Sequence, residues 1–225
     1  MPVSDSNSSI APLRYITVEG PIGVGKTSLA RRLAKSFSGD LVLESTEENP
    51  FLEQFYRSGR STALAAQLFF LLQRSRQLEH LNQGDLFAPI RIADFHIFKD
   101  RLFAELNLSR EELDIYDQVY EKLDFDAPVP DLVIYLQASV DSLMARIAAR
   151  SVEFERKMDR KYVEDVADAY ARYFYDYAES PLLIVNATSI DPIRNDDDYD
   201  ALYEQVRRIT SGRHFFNPVA AVALA

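Results

Sequence analysis

The chain predicts an α/β fold in which a five-stranded, mostly parallel sheet is flanked by helices. Three observations carry this expectation. Short β-branched runs alternate with helical stretches along most of the 225 residues, the order that builds parallel sheets through crossover helices. Three of only seven glycines (Gly20, Gly23 and Gly25) fall within six residues, between a strand-like run and a helical one. Hydrophobic residues make up 47% of the chain and aromatics 12%, which suits a sizeable folded core and argues against disorder.

Each element follows from its local pattern. Residues 1–11 read as a polar leader, 12–212 as one domain and 213–225 as a C-terminal tail. Arg14 to Val18 is short and β-branched, a buried strand. After the glycines, Leu29, Ala30, Leu33, Ala34 and Phe37 share one helical face, which Gly39 ends. A second strand runs from Leu41 to Glu44, then a short helix around Pro50 to Tyr56 and a long one from Ser61 to Gln83. The long helix is apolar nearly all round from Ala63 to Leu72, which predicts burial on several sides. Pro89 to Asp94 is a third strand, followed by helical segments from Lys99 to Leu123 and a turn from Asp124 to Pro130. Asp131 to Leu136 and Pro181 to Val185 are the fourth and fifth strands. Between them lie one helix carrying Val140, Leu143, Met144, Ile147 and Ala148 and a second striped with Tyr162, Val166, Tyr170, Tyr173 and Tyr177. A last helix spans about Asp196 to Ser211.

Composition narrows the function classes. With 25 basic and 35 acidic residues the charge is −10 and the pI about 4.8, which argues against a nucleic-acid polymer as partner. The absence of cysteine removes disulfides, thiol catalysis and thiolate metal sites. His80, His96 and His214 are too scattered for a spaced metal motif. The first residues lack a basic segment followed by an apolar one, and no apolar run approaches a membrane span. A cytoplasmic location without membrane partners is expected.

The strong motif is Gly20-Pro21-Ile22-Gly23-Val24-Gly25-Lys26-Thr27, with Ser28 after it, which fits the phosphate-binding loop G-x-x-x-x-G-K-[ST]. Glycines let backbone N–H groups turn inward around phosphate oxygens, and the helix that follows aims its positive dipole end at them. Lys26 would reach the β- and γ-phosphates, and Thr27 would hold Mg²⁺ through its hydroxyl. Nucleotide binding is therefore expected, and no N-K-x-D tetrapeptide is present to read guanine as in GTPases.

Further motifs carry a resemblance. Glu44-Ser-Thr-Glu-Glu-Asn-Pro-Phe-Leu-Glu-Gln-Phe-Tyr56 closes the second strand, and Gln67-Leu-Phe-Phe-Leu-Leu-Gln-Arg74 lies on the long helix. With the phosphate loop and with Asp94 closing the third strand, the chain resembles the deoxynucleoside kinase family, particularly its bacterial deoxyadenosine/deoxyguanosine kinases. The resemblance runs from about Tyr15 to Val185. It implies a P-loop kinase fold with an arginine-containing lid, a homodimer, and transfer of the ATP γ-phosphate to a nucleoside 5′-hydroxyl, with purines favoured. It also implies that Glu44 is the general base and Asp94 the carboxylate beside Mg²⁺. Gln67, Arg74 and Asp100 match positions that read the base, Tyr56 and Glu155 positions that bind the sugar 3′-hydroxyl, and Arg146 and Arg150 lid arginines that clamp phosphate. Arg156 also lies in this lid, whereas Tyr162, near the sugar in the family, reads here first as core.

Two departures stand out. Val152 occupies a lid position where the family has another arginine. More seriously, the family's D-R-[ST] after the third strand is Asp94-Phe95-His96 here. Losing such a charge-assisted donor costs on the order of 2–4 kcal/mol of transition-state stabilisation. His96, Lys99, Arg101 and a lid arginine are the candidates to replace it. Two other readings stay open: a nucleoside monophosphate kinase of thymidylate-kinase type, and a nucleotide-binding regulatory protein weakened in catalysis.

Overall fold

A computed structural model describes residues 13–82, 89–123, 127–150, 156 and 158–218. The leader, most of the 124–130 turn's first half, Glu155 and the end of the tail lie outside them. The central strand, β1 (Tyr15–Glu19), is buried along its whole length. It pairs in parallel with β3 (Arg91–Ala93) on one side and β4 (Leu132–Gln137) on the other. Beyond β3 lies β2 (Asp40–Val42), and beyond β4 lies β5 (Leu182–Asn186), both also parallel.

Among the described residues the sheet has six strands rather than the expected five, in the order β2-β3-β1-β4-β5-β6. The sixth, β6 (Arg213–Phe216), comes from the segment read as a tail and pairs in parallel with β5. Its sequence, Arg-His-Phe-Phe, is too short and too polar at its start to read as a strand. The open edge of β5 makes it one, aided by Gly212 in the left-handed region (φ 76°) and by the Arg213 guanidinium on the carbonyls of Tyr175 and Tyr177.

Strand alternation sends side chains to two cores. Ile16, Val18, Leu132, Ile134, Leu136, Leu183 and Val185 pack against α1 (Lys26–Phe37), α6 (Val140–Ala149) and α8 (Asp196–Arg208). Val133, Tyr135, Leu182 and Ile184 face α4 (Phe98–Asn107) and α7 (Arg160–Asp176). Both faces of the sheet are thus covered, as a parallel sheet requires.

The remaining helices are α2 (Leu52–Ser58), α3 (Ala63–Asn82) and α5 (Arg110–Leu123). The helical run from residue 99 divides in two at Ser109. Its backbone N–H donates to Glu112 while its hydroxyl accepts from the Glu112 N–H, a capping box that restarts the helix. The α3 helix packs on α4 and α5 and buries Ala63, Ala66, Leu71 and Leu78, but Leu72 is 45% exposed, so one flank stays uncovered within the protomer. Among the described residues no helix is long and apolar enough to cross a membrane.

Candidate active site

In parallel α/β sheets ligands gather at the carboxyl ends of the strands. Here the loop from Gly20 to Gly25 leaves β1 and delivers the N-terminus of α1. Gly20 takes φ 146°, and a Cβ there would stand 2.4 Å from the Leu136 carbonyl oxygen. Gly25 caps α1 at φ 107°. No other residue takes both positions without strain.

Lys26 lies along the inside of this loop. Its Nζ donates to the carbonyls of Gly20 (2.7 Å) and Pro21 (3.2 Å). Burial and the like charge of Lys99 lower its pKa to about 8, against the pull of Glu19 and Glu44. Thr27 Oγ1 donates to Asp94 Oδ2 at 2.5 Å, and Asp94 Oδ1 accepts the Glu44 N–H at 2.8 Å. One carboxylate therefore ties the P-loop helix to the loop after β2. Glu44 sits in that loop rather than closing the strand, because β2 ends at Val42.

The Glu44 side chain anchors a buried ion cluster. Its Oε1 accepts from Arg74 Nη2 at 2.6 Å, and its Oε2 accepts from Lys99 Nζ. Burial favours the acid form, but Lys99 and Arg74 outweigh it and hold the carboxyl at about 2. Arg74 turns its Nε to Asp100 at 2.5 Å, and its Nη1 has no hydrogen-bond partner among the described residues. The ion pairs keep Arg74 charged, whereas burial pushes the Asp100 carboxyl up.

These groups share one cavity of about 570 Å³. Lys26, Thr27, Glu44, Tyr56, Gln67, Arg74, Asp94, Asp100 and Arg150 all line it, together with Ile22, Gly23 and Gly25. Gly20, Pro21, Val24 and Ser28 complete the loop and first helical turn without lining it. Arg146 does not line it either. Its guanidinium donates to the carbonyls of Val24 (3.1 Å) and Ala187 (2.7 Å), bracing the loop from behind. Arg156 donates its Nε to the Arg150 carbonyl.

Sequence reasoning missed part of the wall. Phe103 and Asn107 face the cavity from α4, at helical spacing with Asp100 and with Lys99, which the sequence offers only as one of several replacements for the missing arginine. The available signal was Asn107, a polar residue two helical turns after Asp100. Tyr162, expected as core, lines the cavity beside Phe55 and Tyr56. Glu19 was also missed. Fully buried at the end of β1, it accepts from the backbone N–H of Gly20 (3.1 Å) and His96 (2.5 Å) and from the Tyr170 hydroxyl (3.0 Å). Burial raises its pKa although Lys99 and Lys26 oppose the shift.

The Asp94-Phe95-His96 segment leaves the cavity after its first residue. Phe95 is wholly buried with Tyr15, Leu78 and Leu81, and the Arg74 guanidinium lies 4.8 Å above its ring. His96 is buried, with its ring 5.0 Å from that of Phe98.

Comparison with known proteins agrees with this geometry. Residues 16–211 match the family model described as deoxynucleoside kinase. A deoxyguanosine kinase of Bacillus subtilis (strain 168) is 34% identical over 204 residues, covering 87% of this chain and 97% of that protein. A deoxyadenosine/deoxycytidine kinase of the same organism is 26% identical over 203 residues, covering 86% and 92%. The solved structure of deoxyadenosine kinase from M. mycoides with products dCMP and a flexible dCDP superposes with a TM-score of 0.74. At 24% identity, covering 87% of this chain and 100% of that one, it shows the shared fold.

Proposed function

Because the chain belongs to the deoxynucleoside kinase family, we propose that this cavity transfers the ATP γ-phosphate to the 5′-hydroxyl of a purine deoxynucleoside, with Glu44 as the base. The observation that carries the reading is the position of Glu44. It stands between a P-loop that binds triphosphate and a buried Arg74–Asp100 pair suited to the edge of a base. A carboxyl held at about 2 is a weak base, but it is ionised at every working pH. In a loose phosphoryl transfer the hydroxyl grows acidic as its oxygen bonds to phosphorus, so a weak, well-placed acceptor suffices.

The P-loop amides, Lys26 and the α1 N-terminus hold the phosphates, and Arg150 approaches them from the end of α6. Thr27 and Asp94 fit Mg²⁺, since a hydroxyl and a carboxylate already meet at 2.5 Å and this ion takes few protein ligands beside phosphate and water. When bound, it neutralises phosphate charge. Gln67, Arg74 and Asp100 read the base, with the free Arg74 Nη1 as a donor still to be satisfied. Tyr56 and Glu155 are assigned to the 3′-hydroxyl, and Arg146 supports the loop rather than touching phosphate. The small side chain of Ala66 lines the pocket beside Gln67 and leaves room for two rings. A cytoplasmic setting supplies both substrates.

The test is ADP release from Mg·ATP with deoxyadenosine, deoxyguanosine, deoxycytidine, thymidine and thymidine 5′-monophosphate. Purine deoxynucleosides are expected to turn over fastest, and Gln67→Ala to lose about tenfold or more in kcat/KM for them. Faster turnover of the monophosphate, or an indifferent Gln67→Ala, would reject the assignment.

A further inference from the structure

Phosphoryl transfer leaves negative charge on the equatorial oxygens of the moving group, and fixed cations aimed at them supply most of the catalysis. Among the described residues, four cationic side chains line the cavity: Lys26, Arg74, Lys99 and Arg150. Lys26 belongs to the P-loop, on the side of the leaving ADP. Arg74 is spent on Asp100 and Glu44, on the side of the base. A cation on the acceptor side remains to be found.

The residues around the atypical segment narrow the choice. Phe95 has no charge and lies in the core. His96 is buried against Phe98 and Tyr177, and its Nδ1 accepts the Phe98 N–H. Arg101 pairs with Glu105 and Asp117 on an outer face of α4. Lys99, on the first turn of α4, is the one that turns into the cavity.

We propose that Lys99 is a catalytic residue whose ammonium holds the 5′-oxygen and the transferring phosphoryl group on the acceptor side. The inference rests on Glu44 being the base. The two oxygens of that carboxylate are divided, Oε1 on Arg74 and Oε2 on Lys99. A hydroxyl that gives its proton to Glu44 at Oε2 is therefore next to the Lys99 ammonium, which has three donors and spends one on Glu44. In the step, the nucleoside 5′-oxygen bonds to the γ-phosphorus as the bond from that phosphorus to the β,γ-bridging oxygen breaks. ADP leaves with the electron pair, and the 5′-proton passes to Glu44. After burial, the like charge of Lys99 helps lower the Lys26 pKa, a repulsion that a phosphoryl group between them relieves. The side chain of Lys99 is only 11% exposed, so its charge acts with little screening by water.

The test compares wild type with Lys99→Met, Lys99→Gln, Lys99→Arg and Glu44→Gln, each checked for folding by circular dichroism. Turnover is followed with Mg·ATP and deoxyguanosine, and calorimetry gives affinities for ATP, deoxyguanosine and deoxyguanosine 5′-monophosphate. Lys99→Met and Lys99→Gln are expected to lower kcat by about 10²–10³-fold, as loss of one transition-state donor does. ATP and deoxyguanosine affinities should stay within about threefold, while the monophosphate weakens by about tenfold and Lys99→Arg recovers most of both losses. A kcat within about threefold of wild type in either neutral variant would overturn the proposal. So would nucleoside and monophosphate affinities that fall together, the mark of a merely structural ion pair. If Glu44→Gln keeps full turnover while Lys99→Met loses it, the base assignment fails and the cation on the acceptor side stands.

Discussion

Replacing His96 by Asn should flatten the acid side of the stability profile. Burial first, and the nearby Arg74 charge second, lower the His96 pKa from 6.5 to about 4. Protonation would also cost the hydrogen bond in which Nδ1 accepts the Phe98 N–H at 3.3 Å. The folded protein thus keeps this ring neutral, while the unfolded chain takes up a proton below its ordinary value of 6.5. Between those two values the unfolded state binds more protons, so stability rises with pH and falls as the solution is acidified. The loss begins near 6.5 and is complete near 4, and by pH 5 it amounts to about 2 kcal/mol. Asn offers a side-chain oxygen to the same N–H but has nothing to protonate. Urea unfolding of both proteins at pH 7.5 and pH 5, at one protein concentration, gives the double difference in which all other titrating groups cancel. Wild type should lose about 2 kcal/mol more than His96→Asn between these conditions. Equal losses in the two proteins would refute the reasoning and place the imidazole in contact with water.

Two further expectations concern the P-loop and the assembly. Lys26→Ala should reduce phosphotransfer below detection while far-UV circular dichroism stays native, since among the described residues Lys26 hydrogen-bonds to the loop carbonyls of Gly20 and Pro21 alone; wild-type turnover would sink the P-loop mechanism. We also propose a homodimer, in which the flank of α3 carrying the exposed Leu72 is covered by the same helix of a second copy; sedimentation equilibrium at micromolar concentration should give twice the 25.7 kDa chain mass, and a monomer would reject it.

Much of the framework was legible along the chain because it depends on local order. The P-loop needs glycines at set spacing after a strand, and Gly20, Gly23 and Gly25 stand there with Lys26 and Thr27 behind them. The Leu29, Ala30, Leu33, Ala34 stripe is the buried face of α1 as its periodicity requires. The Glu44-to-Tyr56 stretch located the loop that carries Glu44. What escaped depends on contacts between distant parts of the chain. β6 is a strand only because β5 offers an open edge, a fact about pairing partners rather than about Arg213 to Phe216. Arg146 has the spacing of a phosphate clamp, yet its guanidinium is satisfied by carbonyls of Val24 and Ala187, residues far from it in the chain.

The sequence by itself determined the phosphate loop, the order of strands and helices, and the set of charged residues on offer. Which of those charges meet was decided only in three dimensions. Glu44, Arg74, Lys99 and Asp100 come from a loop and two helices, and they converge because α4 packs on α3 above the carboxyl ends of β2 and β3. The sequence offers Lys99 and Asp100 side by side on one helix, but not the groups they meet. The Asp94-Phe95-His96 segment shows the difference most clearly. On paper it lacks a cation, whereas in the fold the Lys99 ammonium rests on the Glu44 carboxylate one helical turn further on. A charge is placed by the packing of the backbone that carries it, and that packing is a property of the whole core.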